Sequence, residues 1–231
     1  MNDIVNLQFL QNYPIWDILL DYQDIREFYV CGGCIRDYII NGNGGKDIDI
    51  FVNCSKEELR MLVDYLEIYG HVVFGQYGSP RFYFNTNEEH YIDIVPFYNF
   101  VVSPNPIQTI DNLLENFDFT ANAIGLNIKT GVIHDPVQGI ADIKNHVLRA
   151  VRLDFPEKPV SEDICLSAVS VFWFRILHYQ NKLGFDFEKQ TKEWIIDNAY
   201  RIRDLEMFKK YFFTPNIGEE INQCINQCLH Q

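Results

Sequence analysis

The sequence predicts an α+β protein: a mixed central sheet flanked by helices over residues 1–153, then a small all-helical C-terminal part over 154–231. Three observations lead there. Short apolar runs bounded by glycine, proline, serine and asparagine recur through the first 130 residues and read as strands. A strand–helix–strand succession and a pair of strands joined by a polar turn both occur among them, which makes the sheet mixed. Beyond about residue 160 the apolar residues follow helical spacing instead.

Taken in order, residues 1–26 hold apolar positions at Ile4, Val5, Leu7, Leu10, Ile15, Ile18 and Leu19, split by Pro14 into two short helical pieces. Glu27–Cys31 is the first strand. Gly32-Gly33 forms a tight turn that opens a helix carrying Arg36 and Asp37, and Gly42, Gly44 and Gly45 turn the chain into a second strand, Asp47-Ile48-Asp49-Ile50-Phe51. Ser55 and Glu58 make a capping box for a helix with apolar Leu59, Leu62, Val63 and Leu66, ending near Gly70. His71–Phe74 is the next strand, and Arg81–Phe84 and Tyr91–Val95 pair across the turn Asn85-Thr86-Asn87. Pro104–Phe117 reads as a short helix and Ala123–Ile128 as a strand. Ser161-Glu162-Asp163, just after Pro159, is read as the start of a long helix that continues through the apolar Ser167–Leu183 and stops at Gly184. Phe187–Ile202 and Leu205–Phe213 close the helical part, and Glu219–Gln231 is an amphipathic tail helix.

At 231 residues, 47% of them hydrophobic and 15% aromatic, the chain can bury a sizeable core. No run of about twenty apolar residues is present, so no membrane span is expected. The N-terminus lacks a basic stretch followed by an apolar one. With that, the six cysteines read as reduced thiols and the location as cytoplasmic. Cys31, Cys34, Cys224 and Cys228 are two close pairs, but their spacing is a poor zinc pattern. The net charge is −13, and no Lys or Arg lies between Phe82 and Ile128. Extended non-specific nucleic-acid binding is therefore disfavoured, although a small contact near an active site is compatible with it.

The residues that carry chemistry cluster around the first two strands. Strand side chains two apart share a face, so Asp47 and Asp49 project together opposite Ile48 and Ile50. Two carboxylates on one face repel unless a cation neutralises them, and hard divalent ions take oxygen ligands. Gly32 and Gly33 let the backbone approach closely at a helix start, where amides form an anion site, and Arg36 lies one turn further on. In Tyr91–Val95, Asp93 alternates with Ile92 and Ile94, and the Asp47–Asp49 strand is its expected neighbour. Phosphate cradle, arginine and metal-binding carboxylates are the parts of phosphoryl transfer.

The G-G-x-x-R-D segment at 32–37 followed by D-x-D at 47–49 resembles the head domain of tRNA nucleotidyltransferases and bacterial poly(A) polymerases, in the DNA polymerase β-like superfamily. Asp118-Phe119-Thr120-Ala121-Asn122-Ala123 resembles the end of that family's R-R-D-F-T-x-N-A motif, with Asn116 and Phe117 where the arginines belong. Gly131 to Ile143 is similar to its G-x-(apolar)-x-D-P-x-x-G segment. Glu162-Asp163-Ile164-Cys165-Leu166 is similar to its base-selecting E-D-x-x-R, with the arginine replaced by Leu166.

The resemblance implies transfer of an NMP from an NTP, ATP or CTP, to an RNA 3′ end, with release of pyrophosphate. It assigns catalysis and metal binding to Asp47, Asp49 and Asp93. Two Mg2+ ions are expected, with Mn2+ as the alternative. Nucleotide contact falls to Gly32, Gly33, Arg36, Asp118, Asn122 and Arg152. Two other functions fit the acidic chain and the lost arginines: transfer to a protein or small-molecule hydroxyl, and a nucleotide-binding module without catalysis. Arg175, in the apolar stretch before Gly184, reads equally as a base contact or as an ion-paired residue at the core edge.

Overall fold

The structure, a computed structural model, describes residues 15–25, 27–44, 48–75, 78–85, 91–100 and 107–229. Residues 1–14, Asp47 and the start of the expected 104–117 helix lie outside the described residues. The chain divides into two compact units, Met1–Phe117 with Ala121–Ile140, and Asp118–Thr120 with Ala141–Gln231.

In the first unit, α1 (Ile15–Asp21) precedes β1 (Phe28–Cys31), α2 (Gly33–Asn41), β2 (Ile48–Val52), α3 (Lys56–Leu66), β3 (His71–Phe74), β4 (Pro80–Tyr83) and β5 (Ile92–Pro96). It continues with α4 (Ile110–Leu114), β6 (Gly125–Asn127) and β7 (Ile133–His134). The seven strands form one mixed sheet in the order β3-β4-β5-β2-β1-β6-β7. Only β2 and β5 run parallel; the other neighbours are antiparallel. The core is built from Phe28, Val30, Ile50, Val52, Phe82 and Ile94, all at most 2% exposed.

Local sequence explains most of these elements. The Ser55 hydroxyl accepts from Glu58 N while the Glu58 carboxylate accepts from Ser55 N, so the capping box forms as read. Leu59, Leu62, Val63 and Leu66 are the buried face of α3. Gly70 ends that turn for a steric reason, because a Cβ there would come within 2.2 Å of the Tyr83 carbonyl oxygen. Backbone cannot yield as a flexible side chain does. Gly70→Ala is expected to cost about 3 kcal/mol, read as a lower urea midpoint.

The second unit holds the C-terminal end of α5 (Gly139–Lys144), β8 (Val147–Leu148), α6 (Ala168–Leu183), β9 (Asp186–Phe187), α7 (Lys189–Asp197), α8 (Leu205–Tyr211) and α9 (Glu219–Leu229). Trp173 and Phe174 of α6 are 0% exposed. The Trp173 indole N–H donates to the Ile195 carbonyl at 3.0 Å. Gly184, at φ 66°, closes α6 in the left-handed region, as the sequence predicts.

Two sequence expectations are corrected here. The long helix begins at Ala168, capped by Ser167, and not at Ser161. Residues 159–166 instead bend back, with Val160 N donating to Leu166 O and Ala168 N to Lys158 O, each at 3.0 Å. The bend buries both Ile164 and Leu166. The expected helix 187–202 is also interrupted: α7 ends at Asp197 and a 3-10 turn spans Ala199–Asp204. The Asn198 side chain donates to Trp194 O at 2.9 Å, competing with the backbone ladder. Among the described residues no helix is long and apolar enough to cross a membrane.

Candidate nucleotidyl-transfer site

Asp49 on β2 and Asp93 on β5 are in-register partners on parallel neighbouring strands. Such residues project from the same face of a sheet about 4.8 Å apart. Their sequence neighbours Ile48, Ile50, Ile92 and Ile94 are buried, while both aspartates keep partial exposure. The alternation read in each strand thus turns the carboxylates to one side. The parallel register then places them side by side.

Each has an identified neighbour. Arg81, opposite Asp93 on β4, donates from Nε to Asp93 Oδ1 at 3.0 Å, with its guanidinium 4.5 Å from the Tyr91 ring centre. Burial works against the Arg81 charge, yet the Asp93 carboxylate holds its pKa above the ordinary value. Cys31 on β1 is in register with Asp49. Burial pushes its thiol well up, and the Asp49 charge adds to this.

The glycine turn lies against this pair. Gly32, at φ 78°, is the N-cap of α2, and the helix start has no side-chain cap. A Cβ on Gly32 would sit 3.8 Å from Asp49 Oδ2 and 3.9 Å from the Phe117 ring. The turn that leads into the helix amides therefore passes directly beside a site carboxylate. A side chain at Gly32 would strain the backbone and intrude there.

Arg36 is 2% exposed. Its guanidinium donates from Nε to Asp37 Oδ1 at 2.8 Å and from Nη1 to Asn122 Oδ1 at 2.5 Å. It thus ties α2 to the segment bearing Asn122, itself buried. In the second unit, Asp118 Oδ2 accepts from Arg175 Nε at 3.1 Å and Nη2 at 2.7 Å, and its Oδ1 accepts from Phe119 N. Of the two readings of Arg175, the ion pair is the one observed. Arg152 binds Asp154 at 2.6 Å and lies over the Phe155 ring, and that bond holds the Asp154 carboxyl below its ordinary pKa. Asp49, Asp93, Gly32 and Gly33 are thus brought together in the first unit, and Arg36 and Asn122 form a second contact within it. Asp118 and Arg152 belong to the second unit, each with its own partner.

The two positions that depart from the resembled motif have structural roles of their own. Phe117 is buried against Phe51 and Phe100, with ring centres at 5.6 and 5.3 Å. Asn116 donates to Asn112 O at 2.8 Å. Sequence reasoning missed Asp37 as the partner of Arg36, although the two are adjacent in the chain. It also did not pair Arg81 with Asp93, for which the alternating patterns of the two hairpin strands were the available signal.

Among the described residues no group of three or more His, Cys, Asp or Glu side chains gathers as a metal site, Asp47 lying outside them. The donors that are described, two adjacent carboxylates, suit a hard divalent cation, with Asp93 Oδ1 engaged by Arg81.

These features define a class: a mixed-sheet head that presents neighbouring carboxylates beside a glycine turn at an uncapped helix start. The chain belongs to the poly(A) polymerase head-domain family, whose pattern matches residues 28–149. It is similar to the CCA-adding enzyme of Lactobacillus helveticus, 29% identical over 93% of this chain and 52% of that protein. The CC-adding tRNA nucleotidyltransferase of Halalkalibacterium halodurans is 28% identical over 78% of this chain and 41% of the relative. The chain spans about half the length of the curated relatives it matches.

Among solved structures, a CCA-adding enzyme with CTP superposes with a TM-score of 0.69 at 20% identity, covering 98% of this chain and 55% of the other. The Thermotoga maritima CCA-adding enzyme complexed with tRNA gives 0.65 at 20%, covering 98% and 52%. These two likenesses establish the fold, a nucleotidyltransferase head.

Proposed function

We propose that the chain transfers a nucleoside monophosphate from an NTP, ATP or CTP, to the 3′ hydroxyl of an RNA and releases pyrophosphate. The hydroxyl oxygen bonds to the α-phosphorus as the bond to the β-phosphate oxygen breaks, and the hydroxyl proton goes to a carboxylate. The observation that carries this reading is the in-register pair Asp49–Asp93 beside Gly32. In this reading Asp93, oriented through Oδ1 by Arg81, accepts the proton. Asp49, with Asp93 and Asp47, would hold divalent cations, Mg2+ or Mn2+, which supply charge neutralisation at the transferred phosphate. The amides that follow Gly32 and Gly33 cradle the triphosphate. Arg36 acts on the nucleotide through Asn122, which it positions. Asp118 and Arg152 are the nucleotide-contact candidates of the second unit. We assign residues 1–153 to the catalytic head and 154–231 to the helical part.

A transfer assay tests this. The protein is incubated with Mg2+, each α-labelled NTP in turn, and either total RNA or RNA-stripped lysate. Label is expected on RNA, and Asp93→Asn is expected to lower the rate by about 100-fold or more. Label on protein or small molecules instead would overturn the RNA acceptor. That outcome suits the acidic charge of the chain, whereas the missing arginines at 116 and 117, where Phe117 is committed to the core, favour a binding module without catalysis. No transfer with NTP binding retained would overturn catalysis altogether.

A further inference from the structure

The charge of the chain is unevenly divided. The first unit carries 7 Lys and Arg against 18 Asp and Glu, the second 12 against 14. An RNA backbone outside the transfer site therefore meets less opposing charge on the second unit than on the first. The segment 200–211, YRIRDLEMFKKY, is the second unit's densest run of cations, with four against two acids.

That segment is a 3-10 turn running into α8. Phe208 and Arg201 point inward, at 0% and 4% exposure. Tyr200, Arg203, Met207 and Lys210 follow at three- and four-residue steps, which puts them along one side, and all four are exposed. Tyr200 is 41% exposed yet held in place. Its hydroxyl accepts from Arg201 Nη2 at 2.8 Å, and the guanidiniums of Arg201 and Arg203 lie 4.9 and 5.2 Å from its ring centre. Arg201 is itself locked by Glu157, Ser170 and Asn198. An exposed aromatic ring fixed by a buried arginine, followed along one stripe by two cations, is the arrangement on which a base stacks while phosphates are neutralised.

We propose that the stripe Tyr200–Arg203–Met207–Lys210 is a docking surface for single-stranded RNA, with Tyr200 as stacking platform and Arg203 and Lys210 as phosphate contacts. The proposal rests on the RNA reading above. RNA is favoured over an acidic protein segment because the ring is rigid and flat beside the cations, a feature that charge pairing alone does not need.

The test is fluorescence anisotropy with a short fluorescein-labelled single-stranded RNA across a salt series. Tyr200→Ala is expected to weaken binding by about 5- to 100-fold, with Tyr200→Phe close to the parent protein, since the ring remains. Arg203→Glu with Lys210→Glu is expected to lower the slope of log affinity against log salt by about 1.4, the value for two single-strand phosphate contacts. Lys56→Glu on α3 controls for bulk charge, and circular dichroism checks folding of each variant. Unchanged affinity and slope in the stripe variants, or an equal loss in Lys56→Glu, would overturn the proposal. Equal competition by poly-glutamate would assign the stripe to an acidic protein partner and overturn it too. If the parent protein binds no RNA, this proposal and the RNA acceptor fall together. If it extends RNA while the stripe variants bind as the parent does, this proposal alone fails.

Discussion

Asp49→Asn is expected to lower nucleotide transfer by about 1,000-fold or more while leaving the fold intact. A cation at a transferred phosphate contributes several kcal/mol of transition-state stabilisation, and each 1.36 kcal/mol is a factor of ten in rate. Asparagine keeps the shape of the side chain but not the charge that the cation and the reaction need. Asp49 stands in register with Asp93 and next to Cys31, whose thiol its charge helps to push up. Removing that charge relieves the like-charge neighbour Asp93 while the shape of the side chain is kept. The check is single-turnover label transfer beside a thermal melt. A collapsed rate with a melting temperature at or above that of the parent supports the assignment. A rate within tenfold of the parent would remove Asp49 from the catalytic set.

Arg36→Met is expected to destabilise the first unit by about 3 kcal/mol, the cost of leaving a buried side-chain amide and a half-buried carboxylate without their charged donor. In a chain of this size that is a fall in melting temperature of roughly 10 °C. The reason is geometric. One planar guanidinium serves Asp37 through Nε and Asn122 through Nη1. Methionine fills the space but leaves the Asp37 carboxylate and the Asn122 carbonyl without that donor. Arg36→Lys is expected to recover less than half the loss, because a single ammonium cannot repeat the fork. Since Arg36 and Asn122 share one buried bond, the effects of Arg36→Met and Asn122→Ala should be strongly non-additive. A thermal-denaturation cycle over the four proteins measures this. Additivity within about 0.5 kcal/mol would show that the contact does not couple the two residues.

Whatever depends on near neighbours in the chain was legible in the sequence. The capping box at Ser55–Glu58, the left-handed stop at Gly184 and the alternation that turns Asp49 and Asp93 away from the core are all decided within about four residues. Carboxylate pattern and glycine turn were legible for the same reason, since a strand sets faces by a period of two. The start of α6 was not legible. Ser161-Glu162-Asp163 is a good local cap, but the chain bends back over 159–166 and Ser167 caps the helix instead.

The roles of Arg36, Arg81 and Phe117 were likewise decided only in three dimensions. An arginine beside a glycine turn reads as a phosphate contact in one dimension. In the fold, the guanidinium of Arg36 also binds Asp37 and Asn122, a residue 86 positions away. Phe117 reads as a vacancy where a cation belongs, and the fold shows it as an aromatic core residue against Phe51 and Phe100. The sequence by itself determined which side chains share a face and, at Ser55 and Gly184, where a helix starts or stops by local capping. The tertiary structure alone decided which faces meet, because register and burial are settled by the summed packing of segments that no short window contains.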